Sequence, residues 1–359
     1  MKSESIPTVS RWLLALLLVL AVLSCKDSER STVDLNRQFM QAALHGDIDA
    51  VKSCLAKGVD VNVKDEKQHT ALKVAAYAGE FEVVKLLLDN GANVNSKPSD
   101  YGSALFFAVY KCDLNIINLL LDNGADPYAM ISSGLTPLLS AVGQGSPEVV
   151  KAFIDHDCDI KAASKSGITP LMVSARNGRE KVTKMLLDSG ANINAQDEFG
   201  RTALMLATQE GRLAIVRELL QRKADTSCRG KYEWTALLLW AAHGRPNAKL
   251  KKLTRENGDV TTMDKDSLVT HSESSMQDYL KTGELLVDNG ADVNEKADGG
   301  WTALMYAVHE GYLPVVKFLL NKGADVNAVT NHGLTALNRS QKKGYKEIVE
   351  LLKAHGAKE

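Results

Sequence analysis

Along most of the chain, short apolar stretches alternate with polar, turn-forming ones at a fixed interval. The stretch TALMYAVHEGYLPVVKFLLNKGADVN, residues 302–327, shows one cycle. The hydroxyl of Thr302 can cap a helix, Ala303 and Leu304 begin it, and Gly311 breaks it. Val315, Val316, Leu319 and Leu320 then form an apolar stripe at helical spacing, which predicts a second helix ending at Gly323. The polar run 325–333 predicts a hairpin-like finger before Thr335 restarts the cycle. Thr-Ala-Leu or a near variant starts at Thr70, Ser103, Thr136, Thr169, Thr202, Thr235, Thr302 and Thr335, with successive gaps of 33, 33, 33, 33, 33, 67 and 33 residues. A period in this range marks stacked supersecondary units. One unit cannot bury two apolar stripes by itself, so the pattern predicts an all-α repeat solenoid in which each unit packs on its neighbours.

The residues that recur are as telling as the spacing. Thr136-Pro137-Leu138 and Thr169-Pro170-Leu171 open two units, and Gly91-Ala92-Asn93-Val94-Asn95, Gly190-Ala191-Asn192-Ile193-Asn194 and Gly290-Ala291-Asp292-Val293-Asn294 close others. This pattern resembles the ankyrin repeat over residues 35–357. The resemblance implies paired antiparallel helices with hairpin-like fingers, in about nine units. The first unit, 35–62, has two helices' worth of pattern but no capping tripeptide. The last apolar stripe is diluted by Lys346, Glu347, Glu350 and Lys353, so both ends read as caps. After the opening tripeptide, where the family carries His, stand Lys73, Phe106, Leu139, Met172, Met205, Leu238, Met305 and Asn338. Apolar packing is therefore expected to replace the hydrogen bonds that His makes in the family.

The single break in the rhythm falls after Gly244. Tyr279-Leu280 aligns with Tyr312-Leu313, which leaves residues 245–278 as extra sequence, rich in Lys, Thr, Ser and Asp. Two readings fit: a protruding insertion with a short helix near 248–255, or a decayed repeat. Trp240 lies five places after its capping Thr, where other units have Ala75, Ala108, Ala141, Ser174, Ala207, Ala307 and Ser340. An indole does not fit in a methyl-sized site without displacement, so local reshaping beside the insertion is expected.

The amino terminus follows a different pattern. The apolar run 12–23 is twelve residues long, short of the roughly twenty that span a bilayer. It follows a weakly basic start and ends at Ser24 and Cys25, the order of a secretory signal. With Val22 and Ser24 at the −3 and −1 places, the junction resembles the lipobox of bacterial lipoproteins, although Val22 stands for the usual Leu and Leu23 is bulky for its place. The resemblance implies that Cys25 becomes the first mature residue and carries acyl chains on sulfur and nitrogen. An ordinary cleaved signal and an uncleaved anchor are the other readings. The domain organisation expected is a signal peptide at 1–24, a lipidated Cys and short tether at 25–34, and an ankyrin-repeat array at 35–359 with an insertion at 245–278. Lys26 after the cysteine points to the outer membrane of the cell envelope; the alternative is a secreted or periplasmic soluble protein.

Composition narrows the function. With 43 basic and 44 acidic residues, a net charge of −1 and a pI near 6.7, no global field draws the chain to nucleic acid. Besides Cys25, the cysteines are Cys54, Cys112, Cys158 and Cys228, each in a different unit and out of phase with one another, so neither a disulfide nor a zinc site is suggested. Cys54 occupies a core position. His309-Glu310 lacks the second His of a zincin helix, and no acid, base and nucleophile set converges. No cofactor, metal or catalytic residue is expected, and the chain reads as a monomer.

What remains is binding. The family resemblance implies a concave face made by finger tips and first helices. It maps to Tyr77, Tyr110, Arg176, Gln209, Glu210, His243, His309 and Glu310 near the ends of the first helices, and to Tyr101, Phe199, Tyr232, Trp234 and Trp301 at or beside the tips. Aromatics and Arg are the residues on which binding energy concentrates. Trp234 and Trp301 equally fit a role as braces for the neighbouring finger. The function expected is a membrane-tethered, non-catalytic scaffold that binds a protein partner. The alternatives are an enzyme or small-molecule sensor built by the insertion, and a secreted, host-directed effector.

Overall fold

The computed structural model describes residues 30–96, 102–243 and 273–358. Among them are eighteen α-helices in nine consecutive pairs, and no strands beyond two isolated bridges. The described residues fall into two compact units divided between Ser164 and Lys165. Unit 1 holds α1 (Arg30–His45) with α2 (Ile48–Ala56), α3 (Ala71–Ala78) with α4 (Phe81–Asp89), α5 (Ala104–Lys111) with α6 (Leu114–Asp122), and α7 (Pro137–Gln144) with α8 (Pro147–Asp155). Unit 2 holds α9 (Pro170–Arg176) with α10 (Glu180–Asp188), α11 (Ala203–Gln209) with α12 (Leu213–Gln221), α13 (Ala236–His243) with α14 (Glu273–Asp288), α15 (Ala303–Glu310) with α16 (Leu313–Asn321), and α17 (Ala336–Lys343) with α18 (Lys346–Ala354). Within each unit, first helices pack on first helices and second on second, as the repeat pattern requires.

Each element follows from a short local code. Thr70, Thr136, Thr169, Thr202, Thr302 and Thr335 accept the backbone N–H three residues on, and Ser103 does the same. Such a cap contributes about 1 kcal/mol. The first helix is short because the chain must turn back at once. At that turn the N–H of the residue five places on donates to the carbonyl of the small residue: Glu80 to Ala75 at 3.0 Å, Arg212 to Ala207 at 2.8 Å, Tyr312 to Ala307 at 3.0 Å. The small side chain lets the second helix close in, and Val315, Val316, Leu319 and Leu320 are all buried, as their spacing predicts.

The asparagine of the closing motif has a clear role. Asn62, Asn95, Asn294 and Asn327 each donate through Nδ2 to the glycine carbonyl ending the next second helix and accept through Oδ1 a backbone N–H two residues further on. For Asn294 these bonds are 3.2 Å to Gly323 and 2.7 Å from Asp325.

Several expectations need correction. Helix α1 begins at Arg30 and so takes in the last five residues of the tether expected at 25–34. Helix α14 begins at Glu273 and so takes in the last six residues of the insertion expected at 245–278; residues 244–272, with the short helix expected near 248–255, lie outside the described residues. Most places after the opening tripeptide do pack apolar side chains into the core, but Lys73 is also buried there, 1 % exposed, with Nζ donating to the Gln68 carbonyl at 3.4 Å. Burial, and then the neighbouring Lys64 ammonium, pull its pKa down to about 8 against the opposing pull of Asp65.

Trp240 fits without displacing the array because its neighbour gives way. The indole is 1 % exposed and stacks on Tyr279, with ring centroids 5.2 Å apart, while Phe318 meets it edge-on at 5.3 Å. A Cβ at Gly283 would lie 2.3 Å from its Cζ2. Gly283 occupies the place of Val84, Ile117, Val150, Thr183, Val216 and Val316, so the usual pairing of a small residue with a β-branched one is inverted here to large with none. Two side-chain bonds also join the helices of this pair. Trp240 Nε1 donates to the Tyr279 carbonyl at 2.9 Å, and the Tyr279 hydroxyl donates to the Trp240 carbonyl, the acceptor that elsewhere takes a backbone N–H.

Candidate protein-binding face

The fingers of unit 2 are joined edge to edge by one main-chain bond each. Glu198 N donates to Ser166 O at 2.9 Å, Lys231 N to Phe199 O at 2.7 Å, Asp298 N to Tyr232 O at 3.0 Å, and Asn331 N to Gly299 O at 3.0 Å. The third bond spans the insertion and keeps the row in register. Two further contacts reinforce it: Arg229 Nη1 donates to Lys296 O at 3.3 Å, and the hydroxyl of Thr235, which caps α13 by accepting from Leu238 N, donates to Glu295. Glu295 is buried, which raises its pKa. Within one finger, Asp197 fixes the turn by accepting from Phe199 N and Arg201 N, both at 2.9 Å, and holds the Arg201 guanidinium at 2.6 Å.

At the middle of this row the backbone is strained. Tyr232 and Glu233 are consecutive residues with φ of 65° and 59°, in the left-handed region that disfavours side chains. The corresponding pair in the next finger is Gly299-Gly300, at φ 84° and 80°. Left-handed backbone costs a residue with a Cβ roughly 1–2 kcal/mol. Glu233 has a local use, since its carboxylate pairs with Arg229 at 3.0 Å. The Tyr232 ring is 47 % exposed, with Lys231 Nζ 5.4 Å from its centroid and 5.8 Å from that of Phe199; Arg201 covers Phe199 at 5.1 Å.

Behind the tips runs an aromatic cluster. Trp234 lies against Tyr306 at 4.7 Å, Tyr306 against Trp301 at 5.0 Å, and Trp301 against His309 at 5.6 Å, while the Arg339 guanidinium sits 5.7 Å from the Trp301 ring. Both tryptophans are half-buried, so they brace neighbouring elements and still present one side. His309, expected as an open contact, is instead 3 % exposed. Its Nδ1 receives Arg339 Nε at 2.9 Å and also Nη2. Arg339 Nη2 also lies 3.4 Å from Nε2, which is 3.9 Å from Glu310.

The other expected contacts divide between the units. In unit 1 Tyr77 is half-buried, packs edge-on against Phe107 at 5.6 Å and lies under Lys111, while Tyr110 is exposed. Burial, and then the Tyr110 phenol, raise the Tyr77 pKa. In unit 2 Arg176 pairs with Glu210 at 3.6 Å, and Gln209 is half-buried beside it. The side chain of His243, Tyr101 and Cys25 lie outside the described residues.

Tyr306, Arg339 and Lys231 were missed by sequence reasoning. A signal existed for the first two: the fourth place after the capping residue reads Val74, Phe107, Ser140, Val173, Leu206 and Leu239 in other units, and Tyr306 and Arg339 depart from it. That place touches the seventh of the preceding unit, as Phe107 touches Tyr77 and Arg339 touches His309.

The four described cysteines are free thiols, and no group of three or more potential metal ligands occurs among the described residues. Cys54 is in the core as expected. Burial pushes Cys158 up to about 11 and also raises Cys228, so neither favours a reactive thiolate. Among the described residues, no helix is long and apolar enough to cross a membrane.

A family model for ankyrin repeats, built from three copies, matches residues 39–131, 128–197, 190–264 and 272–359. Among solved structures, the ankyrin repeat domain of Bcl-3, described as a unique member of the IkappaB protein family, is 29 % identical with a TM-score of 0.53. The match covers 56 % of this chain and 92 % of that one. The human ASB11 ankyrin repeat domain is 27 % identical with a TM-score of 0.49, over 55 % of this chain and 89 % of that one. No curated protein matches.

Proposed function

Because the chain belongs to the ankyrin-repeat family, we propose that it is a non-catalytic scaffold, tethered to the membrane of a bacterial cell envelope through lipidated Cys25, that holds a protein partner on its fingers and first helices. The observation that carries the binding half is the unit 2 face, where Phe199, Tyr232, Trp234 and Trp301 present aromatic surface on fingers locked in register. Large aromatic groups on a rigid support are where binding energy concentrates. The finger joins lie at the amino end of α13, and the extra sequence follows its carboxyl end, about 12 Å away for an eight-residue helix. The tether rests on the sequence around Cys25. Two or more acyl chains hold a protein lastingly to a bilayer, and one does not.

Two measurements test the two halves separately. An alkyne-tagged fatty acid fed to producing cells should label the protein, and Cys25→Ala should abolish the label; labelling that survives the substitution refutes the anchor. Photo-crosslinking in intact cells from Tyr110 and Trp301 should give a discrete adduct that is missing from a probe at Arg217, exposed on a second helix. Equal adducts from all three positions would refute the face.

A further inference from the structure

We propose that the groove between α1 and the first finger of unit 1 is the seat of this chain's own apolar run, residues 12–23, and that it stays covered until that run is cut away. Neither acylation of Cys25 nor a particular partner is needed for this.

Helix α1 differs from every other first helix. It has 16 residues where the others have seven or eight. The turn bond from Asp47 N to Ala42 O, at 3.0 Å, matches that from Glu80 to Ala75, which puts Arg37 at the place of the capping Thr70. Residues 30–36 are therefore helix where, in unit 2, a finger precedes the cap. The first finger thus has no finger before it among the described residues. Its Glu66 holds the place of Glu198, Lys231, Asp298 and Asn331, each of which donates its N–H to the preceding finger. Between Glu66 and α1 lies instead a groove of about 310 Å³.

The lining selects an uncharged, aliphatic occupant. Val33, Met40, Leu44, Val63 and Val74 contribute to it, and Val33 is 42 % exposed. The charges cancel, Arg37 and Lys64 against Asp65 and Glu66, and Asp65 is committed to the turn of its own finger, accepting from Lys67 N and His69 N at 2.9 and 2.8 Å. The side-chain amides of Asn36 and Gln41, with the Glu66 N–H, can serve the main-chain groups of an extended segment.

The run at 12–23, which lies outside the described residues, has this chemistry. It is the longest stretch of the sequence without a polar side chain, and only residues 24–29 separate it from α1. Six residues reach about 20 Å when extended. The ten positions from Arg30 to Met40 cover about 15 Å of helix, so the run can turn back along α1 and enter the groove. A link this short holds it at an effective concentration on the order of millimolar, ahead of a second copy or a free partner. Cleavage before Cys25 then removes the run, and the edge of the first finger opens only in the processed chain.

The test uses the full-length chain, made by cell-free synthesis without membranes so that the run is retained, with p-benzoylphenylalanine in place of Met40. Unlabelled and ¹⁵N-labelled chains are mixed in equal amounts, irradiated, digested with trypsin and read by mass spectrometry. The expected adduct joins the tryptic peptide 12–26 to the peptide 38–52, with both halves light or both heavy. Leu16→Asp should lower its yield at least fivefold and leave the urea midpoint unchanged. Adducts that pair light with heavy would place a second copy in the groove and overturn the proposal. Adducts to other peptides, no adduct, or a yield that ignores Leu16→Asp would overturn it as well. None of these results bears on the fatty-acid label at Cys25 or the adducts at Tyr110 and Trp301, so the scaffold reading stands or falls separately.

Discussion

The inverted pair at Trp240 and Gly283 offers a quantitative check on how this array absorbs its insertion. Truncating the buried indole by Trp240→Ala removes its stack on Tyr279, its edge contact with Phe318 and the bond from Nε1, and should cost about 3–5 kcal/mol, the range for large-to-alanine changes in a core. Gly283→Val drives a Cβ to within 2.3–2.7 Å of three indole carbons, and overpacking of this kind costs about 1–3 kcal/mol, less a few tenths recovered from helix propensity. Combined, the two changes recreate the Ala–Val pair that units such as Ala75 with Val84 and Ala307 with Val316 already use. Each fills the fault the other creates. The double variant should therefore be more stable than the sum of the single effects by roughly 2–3 kcal/mol, the signature of residues in direct contact. Because repeat arrays open locally, the assay should be hydrogen exchange of amides in α13 and α14, with urea midpoints in support. Additive losses, with the double variant the least stable of the three, would refute the claim that these side chains occupy one shared space.

Lys73→Met should stabilise unit 1 at neutral pH. A pKa of about 8 in the folded state against the usual 10.5 means that the unfolded chain binds the extra proton between those values, so wild-type stability rises from about pH 8 to 10.5 and carries a penalty of at most roughly 3 kcal/mol below pH 8. The variant should lack that rise in pH-dependent urea melts, and an unchanged profile would show that Lys73 is solvated. Asn294→Ala removes two bonds between units and should lower stability by roughly 1–2 kcal/mol in urea melts, whereas the same change at Asn90, which bonds only within its own helix end, should cost less.

The helices and turns were legible because their code is local: a capping hydroxyl, a stripe and a glycine lie within one unit and do not depend on neighbours. Trp240 was legible as an anomaly, but its remedy was not. Gly283 lies 43 positions away across an insertion, and its meaning emerges only when α14 is aligned with the second helices of other units. His309 shows the converse limit. The seventh place of a first helix is open at Arg176, yet buried at His309, because Trp301 and Arg339 from adjoining positions close over it. Exposure on the binding face thus depends on which side chains two units bring together, a property that single-unit patterns do not carry. Lys73 shows a related limit: at a place where apolar packing was expected, a long polar side chain is buried, and the finger behind it supplies a carbonyl for its tip.

The reciprocal bonds between Trp240 and Tyr279 have a consequence for chain connectivity. Elsewhere, the two helices of a pair are held by a turn whose closing bond needs an unbroken backbone, as between Tyr312 and Ala307. At the seventh pair a phenol and an indole on opposite sides of the insertion also link the two helices, with Asp298 to Tyr232 and Thr235 to Glu295 as further crossings. A chain cut between 244 and 272 would be two fragments, each carrying half of every one of these bonds, and the two are expected to bind one another when mixed.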